Sequence, residues 1–246
     1  MSGAVESTGH LKAPPFRREY RASGLLLHVT SLPSAYGIGD LGPEAFAWID
    51  RLHDAGQTWW QALPLGPTGY GDSPYQPLSS FAGNALILSP QSLMAEGLLS
   101  PADCHFPFAP GAVDYASVIP FKERVVACAW SNFCRATRAD LRQEYEAFCL
   151  GQASWLDDYA LFRALKSRFG GAYYIEWPEE LVQRRQSALA EARRQFSDDI
   201  DRIRFEQFLV SRQGEKLKEY AFEGSDADRG LAVFRGAGLQ RRLGES

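Results

Sequence analysis

The sequence predicts an α/β fold in which a strand–helix–strand unit is followed by a large, mostly helical segment. Two observations carry this. The first is an alternation of apolar runs. Ser23 to Val29 (SGLLLHV) is short and nearly continuously apolar, as expected of a strand buried on both faces. Pro43 then suits the first turn of a helix, in which Ala45, Phe46, Ile49, Leu52 and His53 recur at helical spacing up to Gly56. Thr58 to Leu63 (TWWQAL) is a second, aromatic-rich strand, closed by Pro64 and Gly66. Such a βαβ unit builds a parallel sheet and places functional loops at the strand C-termini, as in a (β/α) barrel. The second observation is that from Tyr115 the pattern turns helical and stays so almost to the end of the chain.

The remaining elements are read from local chemistry. Residues 1–22 are polar, with Pro14-Pro15 and Arg17-Arg18, and read as a flexible arm. The first strand runs into the turn-rich TSLPSAYGIGDLG. Its Gly37-Ile38-Gly39-Asp40 lacks the third glycine and helix spacing of a dinucleotide fingerprint. His28 reads as a core histidine on an apolar strand. Leu86 to Leu88 is a short apolar run, Pro90 to Gly97 one or two helical turns, and Pro101 to Gly111 a loop. Helices are expected over Val118–Arg138 and Ala139–Cys149. Another is capped by Ser154, with Asp157 at the capping-box position. That helix presents Trp155, Tyr159, Phe162 and Leu165 as a stripe and stops at Gly170-Gly171. Pro178 opens a last long helix to about Tyr220, with Glu179-Glu180 in its first turn. Asp157-Asp158 read as capping and solvated surface. The organisation is therefore an arm (1–22), the first strands with a substrate loop (23–88), a helical insertion (89–221) and a tail (222–246).

Composition narrows the function. At 246 residues, 45% of them apolar, the chain can bury a sizeable core. A net charge of −4, with no basic face, argues against nucleic acid. Cys104, Cys128, Cys134 and Cys149 form no CxxC pair, so no metal or redox site is indicated and the thiols read as reduced. No apolar run approaches membrane length and no leader pattern opens the chain, so a cytoplasmic location is expected.

The chemistry concentrates between Gln57 and Asn84 (QTWWQALPLGPTGYGDSPYQPLSSFAGN). Gly66, Pro67, Gly69, Gly71, Pro74 and Pro77 forbid a regular element there. The loop carries Tyr70, Tyr75 and Phe81 among Asp72, Ser73, Gln76 and Asn84. Flat rings beside short hydrogen-bonding side chains suit a sugar: the ring takes the C–H face of a pyranose and the polar groups take its hydroxyls. Each residue also has a plainer role. Tyr70 and Tyr75 can pack under the loop, and Asp72 and Ser73 can form turns.

RASGLLLHVTSLPSAYGIGDLG, the TWWQALPLGPTGYGDSPYQPLSSFAGN block, WLDDYALFRALKSRFGG and FEQFLVSRQ resemble the signature blocks of the 4-alpha-glucanotransferases known as amylomaltases or disproportionating enzymes, glycoside hydrolase family 77. The resemblance covers about Gly24 to Ala221, with a departure at Gly214, where the family usually has Trp. It implies the N-terminal portion of a (β/α)8 TIM barrel with a helical insertion, incomplete in this chain. It also implies retaining transfer of 1,4-α-glucan segments to acceptor sugars without cofactor or metal. Maltooligosaccharides and other α-1,4-glucans are the implied partners. By motif position, Tyr75 matches an active-site tyrosine beside the donor sugar and Ser73 a substrate-contacting serine. Tyr70 matches a tyrosine of an outer glucan site, and Asp72, lying between them, can accept a hydroxyl. The family's catalytic carboxylates come after its third barrel strand, and no matching block occurs here, so no catalytic residue is assigned and no turnover is expected. A non-catalytic glucan-binding remnant is the alternative.

From Phe222 the text loses helical and strand period (EGSDADRGLAVFRGAGLQRRLGES). The family's third strand and loop, of the type IGDLPFFVAPDSSDVWANP, yields Asp228 to Ser246 and then a stop when suitably chosen codons are read one base earlier. A frameshift near Phe222 is the expectation, and a genuine short paralogue with its own tail is the alternative. Two strands cannot close a barrel, so their apolar faces are expected to lack partners.

Overall fold

The computed structural model of the protein describes residues 23–69, 71, 73–136, 138–223 and 232–233. The expected arm at 1–22 and most of the expected tail lie outside the described residues. Strand β1 (Gly24–Leu26) runs parallel to β2 (Trp59–Gln61), with Gly24 opposite Trp59 and Leu26 opposite Gln61. Helix α1 (Pro43–Asp54) links them, started by Pro43 in its first turn as expected. It buries Ala45, Ile49 and Leu52. This is the expected βαβ unit.

Two features of the sheet differ from expectation. β1 is not buried on both faces: Leu25 is 46% and Leu26 59% exposed. Neighbouring residues point to opposite faces of a strand, so among the described residues neither face of β1 is covered there. The tail, read as patternless, supplies a third strand. Ala232–Val233 form β3, parallel to β2, with Trp59 opposite Ala232 and Trp60 opposite Val233. Two residues are too few to show a period, yet they suffice to pair with the second side of β2. Trp60 itself is buried and donates its indole N–H to the Leu27 carbonyl at 2.7 Å, which satisfies its one polar atom.

The rest is helical. α2 (Pro90–Ala95) is capped by the Ser89 hydroxyl, which accepts from the Ser92 N–H at 3.3 Å. α3 (Tyr115–Arg135) is capped by Asp114, which accepts from Ala116 N–H at 3.1 Å and from the Ser117 hydroxyl at 2.6 Å. The two helices expected between Ala139 and Gly170 are one helix, α4 (Ala139–Arg168), so Ser154 caps nothing. Gly151 costs that helix about 0.5–1 kcal/mol of propensity, which the packing of Leu156, Tyr159, Ala160 and Leu165 on its inner face offsets. Gly170 and Gly171, at φ +60° and +82°, end it as expected; Gly171 N–H closes back on the Lys166 carbonyl at 2.8 Å.

The single helix expected from Pro178 is instead three: α5 (Glu179–Val182), α6 (Gln186–Gln195) and α7 (Ser197–Glu223). The chain turns at Arg184, the one non-glycine residue at positive φ (53°) among those described. Asp157 and Asp158 are not merely solvated. Asp157 pairs with Arg204 of α7 at 2.7 Å, which ties α4 to α7. Asp158 pairs with Arg184 at 2.9 Å and with Arg193 of α6 at 3.3 Å, which ties α4 to the α5–α6 turn and to α6.

Three apolar clusters make the core, and α7 enters all of them. Ile200 and Ile203 join Tyr159, Ala160 and Leu165 of α4. Phe205, Phe208 and Leu209 join Phe121, Val125 and Phe133 of α3. Leu217 and Ala221 join Leu52 of α1 and Trp60 of β2. Against α1, Tyr220 also donates to Asp50 at 2.8 Å and meets Phe46 edge-on at 5.0 Å.

Gly214, the residue that departs from the family pattern, lies inside α7, and a methyl group at its Cα would meet nothing within 4 Å. Gly214→Ala should therefore stabilise the protein by about 0.5–1 kcal/mol, through helix propensity alone. Thermal unfolding checks this, and a lower midpoint would show that the space is filled.

Candidate functional site

The loop from Pro64 to Asn84 leaves the C-terminal end of β2, the end at which open parallel sheets hold ligands. Its base is closed by backbone bonds: Asn84 N–H donates to Leu65 C=O at 2.8 Å and Leu78 N–H to Pro67 C=O at 3.0 Å, beside an antiparallel bridge between Thr68 and Pro77. Buried Leu65 and Ala82 root the two limbs. The tip is a tight turn. Ser73 C=O accepts from Gln76 N–H at 3.2 Å, and the Ser73 hydroxyl accepts from Tyr75 N–H at 3.3 Å. Ser73 thus fills its turn-forming role while its hydroxyl proton stays available to a ligand.

Tyr75 is 69% exposed. Packing under the loop is therefore not what this ring does. The turn holds its backbone while the phenol ring faces outward beside Ser73. Tyr70 and Asp72, the other two expected site residues, lie outside the described residues. Phe81 is stacked against Trp155 of α4 at 6.1 Å, so it braces the outgoing limb.

The element that holds the loop in place is α7. The Gln207 side-chain amide makes a reciprocal pair with Gly83: its Oε1 accepts from Gly83 N–H at 2.8 Å, and its Nε2 donates to Gly83 C=O at 3.0 Å. Six residues on, Gln213 repeats the arrangement on Ser89, at 2.8 and 3.3 Å. Both amides are buried. They give an irregular segment the paired hydrogen bonds that a neighbouring strand would otherwise supply. The approach is so close that a Cβ on Gly83 would lie 2.4 Å from Val210 Cγ1, so a larger residue would have to push the Val210 side chain aside. Sequence reasoning missed both glutamines. The signal was present, since Gln207 interrupts the apolar stripe Ile203, Val210, Leu217, and Gln213 lies on the ridge Phe205, Leu209, Leu217.

The loop after β1 is fixed by charge. Asp40 is buried and accepts from Gly42 N–H at 2.9 Å. Lys122 of α3 lies 3.8 Å from it and donates to Leu88 C=O at 2.5 Å. Gly37 to Asp40 therefore form a structural corner. Burial raises the Asp40 carboxyl from its ordinary value, against the pull of Lys122. Burial lowers the Lys122 ammonium to about 8, with Asp40 opposing. His28, expected as a core histidine on the strand, sits beyond β1 and only half buried. Its Nδ1 has no hydrogen-bond partner, and burial lowers its pKa.

The four cysteines are free thiols, and the described residues contain no cluster of three metal-ligating side chains. No helix among the described residues is long and apolar enough to cross a membrane.

A parallel strand–helix–strand unit whose second loop presents a tyrosine beside a serine defines the class: an α/β protein with an exposed loop at the C-terminal end of a parallel strand. The 4-alpha-glucanotransferase profile of glycoside hydrolase family 77 matches residues 27–226, and the chain belongs to that family. It is 42% identical over 216 residues to a 4-alpha-glucanotransferase of Synechocystis sp., covering 87% of this chain and 42% of that one. It is 43% identical over 201 residues to that of Thermus thermophilus, covering 82% and 40%. Among solved structures it is similar to the amylomaltase of Streptococcus agalactiae in complex with acarbose, at TM-score 0.78 and 37% identity, over 87% of this chain and 42% of that one. The chain thus spans about two fifths of the length of these relatives.

Lys122→Met leaves Asp40 buried without its cation, and at neutral pH should cost about 3–5 kcal/mol. The pH dependence has a definite sign. A lowered Lys122 pKa means that the unfolded chain holds the proton longer, so its contribution to stability rises with pH from about 8. The variant should lack that rise. A raised Asp40 pKa favours the folded state in acid, so acidification should recover part of the loss. Equal destabilisation at acidic and neutral pH, measured by denaturant unfolding, would remove Asp40 as the cause.

Proposed function

We propose that the activity is transfer of 1,4-α-D-glucan segments to acceptor sugars by a retaining double displacement, in maltodextrin, starch or glycogen metabolism. In that scheme the fold is the first part of a (β/α)8 barrel: strands and substrate loop over 23–88, helical insertion over 89–221. The observation that carries this reading is the exposed Tyr75 on a tip turn built by Ser73, at the C-terminal end of a parallel strand. Family membership supports it.

In this reading the Tyr75 ring takes the C–H face of a glucosyl unit and the Ser73 hydroxyl, already oriented by Tyr75 N–H, donates to a sugar hydroxyl. Asp72 accepts from another hydroxyl, and Tyr70 serves a second, outer contact with the glucan. The carboxylates that attack and protonate the glycosidic bond belong to segments of the relatives that this chain does not span, so its own contribution is binding and orientation. The location proposed is the cytoplasm, and neither metal nor organic cofactor takes part.

Calorimetric titration of the chain with maltoheptaose tests this. Binding is expected, and Tyr75→Ala should weaken it about tenfold by removing the stacking face. Unchanged affinity would take Tyr75 out of the site. Disproportionation of maltotriose by the same preparation would show that the chain carries catalytic groups of its own.

A further inference from the structure

The turn that joins α4 to α5 exposes three large apolar side chains in a row. Tyr173 and Ile175 are each 67% exposed and Tyr174 is 57% exposed. Single apolar residues are ordinary on a protein surface, but a contiguous exposed ridge marks a contact site. This ridge is firmly seated. Gly170 and Gly171 turn the backbone out of α4, and the Lys166 ammonium secures the turn by donating to the Gly171 and Ala172 carbonyls at 2.8 and 3.4 Å. Glu176 N–H then donates to Tyr173 C=O at 2.9 Å, and Trp177 N–H to Tyr174 C=O at 3.2 Å. Behind the ridge, buried Trp177 packs on Phe162 and Phe169 at ring separations of 5.7 and 5.5 Å. Apolar side chains held on such a footing lose little backbone freedom when they are covered.

Charge on either side of the ridge identifies what covers it. In chain order Lys166 and Arg168 precede the ridge, and Glu176, Glu179 and Glu180 follow it. Arg168 and the three glutamates are exposed. None of these charged groups belongs to an ion pair among the described residues, whereas nearby Asp158 is paired with both Arg184 and Arg193. A partner carrying one sign of charge would be attracted at one end of the ridge and repelled at the other. A second copy of the chain suits both ends. A two-fold axis through the ridge reverses the partner's segment, so the basic end of each copy meets the acidic end of the other.

We propose that residues 166–180 form an isologous contact between two copies of this chain. Tyr173, Tyr174 and Ile175 pack against the same three residues of the second copy, and Arg168 lies opposite its Glu179 and Glu180. Tyrosine is among the residues enriched at the centres of such contacts. The ridge offers on the order of 350 Å² per copy, against about 800 Å² per partner in a standard interface, so the dimer is weak and concentration-dependent. Nothing in this contact depends on what Tyr75 binds.

Sedimentation velocity of the full chain, from about 1 μM to about 1 mM, tests the contact. The parent should move from monomer toward dimer as its concentration rises. Tyr174→Ser/Ile175→Ser should weaken association about tenfold or more and leave the circular dichroism spectrum unchanged, since both side chains are exposed. Arg168→Glu sets like charges together twice in the homodimer, and so does Glu179→Lys/Glu180→Lys; each should weaken association about tenfold. An equimolar mixture of these two charge variants restores both opposite-sign pairings and should dimerise as the parent does. A parent that stays monomeric throughout overturns the proposal. A dimer that survives Tyr174→Ser/Ile175→Ser also overturns it, by placing the contact elsewhere, such as at the exposed Leu25 and Leu26 of β1. A mixture no tighter than its two components does the same, because the ends would then not meet.

Discussion

Two glutamine side chains on one helix hold the loop on which the candidate site is built. Gln207 and Gln213 each engage the N–H and C=O of a single residue, Gly83 and Ser89; both amides and Ser89 are buried, and Gly83 is partly so. A buried amide that meets both its donor and acceptor requirements stabilises modestly, but the same amide left unmatched costs about 1–3 kcal/mol. That asymmetry makes the arrangement specific. A slip of segment 83–89 along the helix would break both pairs at once, and a larger residue at 83 would have to displace the Val210 side chain. The helix is fixed in turn, because α7 contributes side chains to all three apolar clusters.

The consequence is a division of rigidity along the loop. The outgoing limb is bound to α7 and braced by Phe81 on Trp155. The incoming limb is bound to it by Asn84 on Leu65 and Leu78 on Pro67. Only the tip projects, and there the Ser73 turn sets the backbone of Tyr75 without covering its ring. An exposed ring on a fixed stem loses little backbone freedom when something covers it. The loop after β1 is secured differently, by the Asp40–Lys122 pair, so two loops at the same end of the sheet are pinned to α7 and α3 respectively.

The βαβ unit was legible in the sequence because its signals are local: an apolar run, a proline at a helix start, a glycine beyond its end. The loop itself was legible from its glycines and prolines, and the structure keeps the Tyr75 ring outward rather than packed beneath it; Tyr70 and Asp72 lie outside the described residues. Errors fell where tertiary pairing outweighs local pattern. Ser154 looked like a cap, but α4 runs through it, held to α7 by Asp157 on Arg204. β1 looked doubly buried because apolar composition does not say whether other elements cover a strand's two faces. β3 is two residues long and has no pattern to read. The glutamine clamps escaped because a polar residue within an apolar stripe reads as an exception until its partner, 124 residues away in sequence, is known.

The dependence of the loop on α7 is tested most directly by amide hydrogen exchange in a Gln207→Leu/Gln213→Leu variant. If the clamps hold the loop, protection should fall about tenfold or more at Gly83 and Ser89 and also at Leu78 and Asn84, which the glutamines do not touch, while Val125 and Ala129 of α3 keep theirs. Protection retained at Leu78 and Asn84 would show that the loop stands on its own bonds and that α7 is only its neighbour.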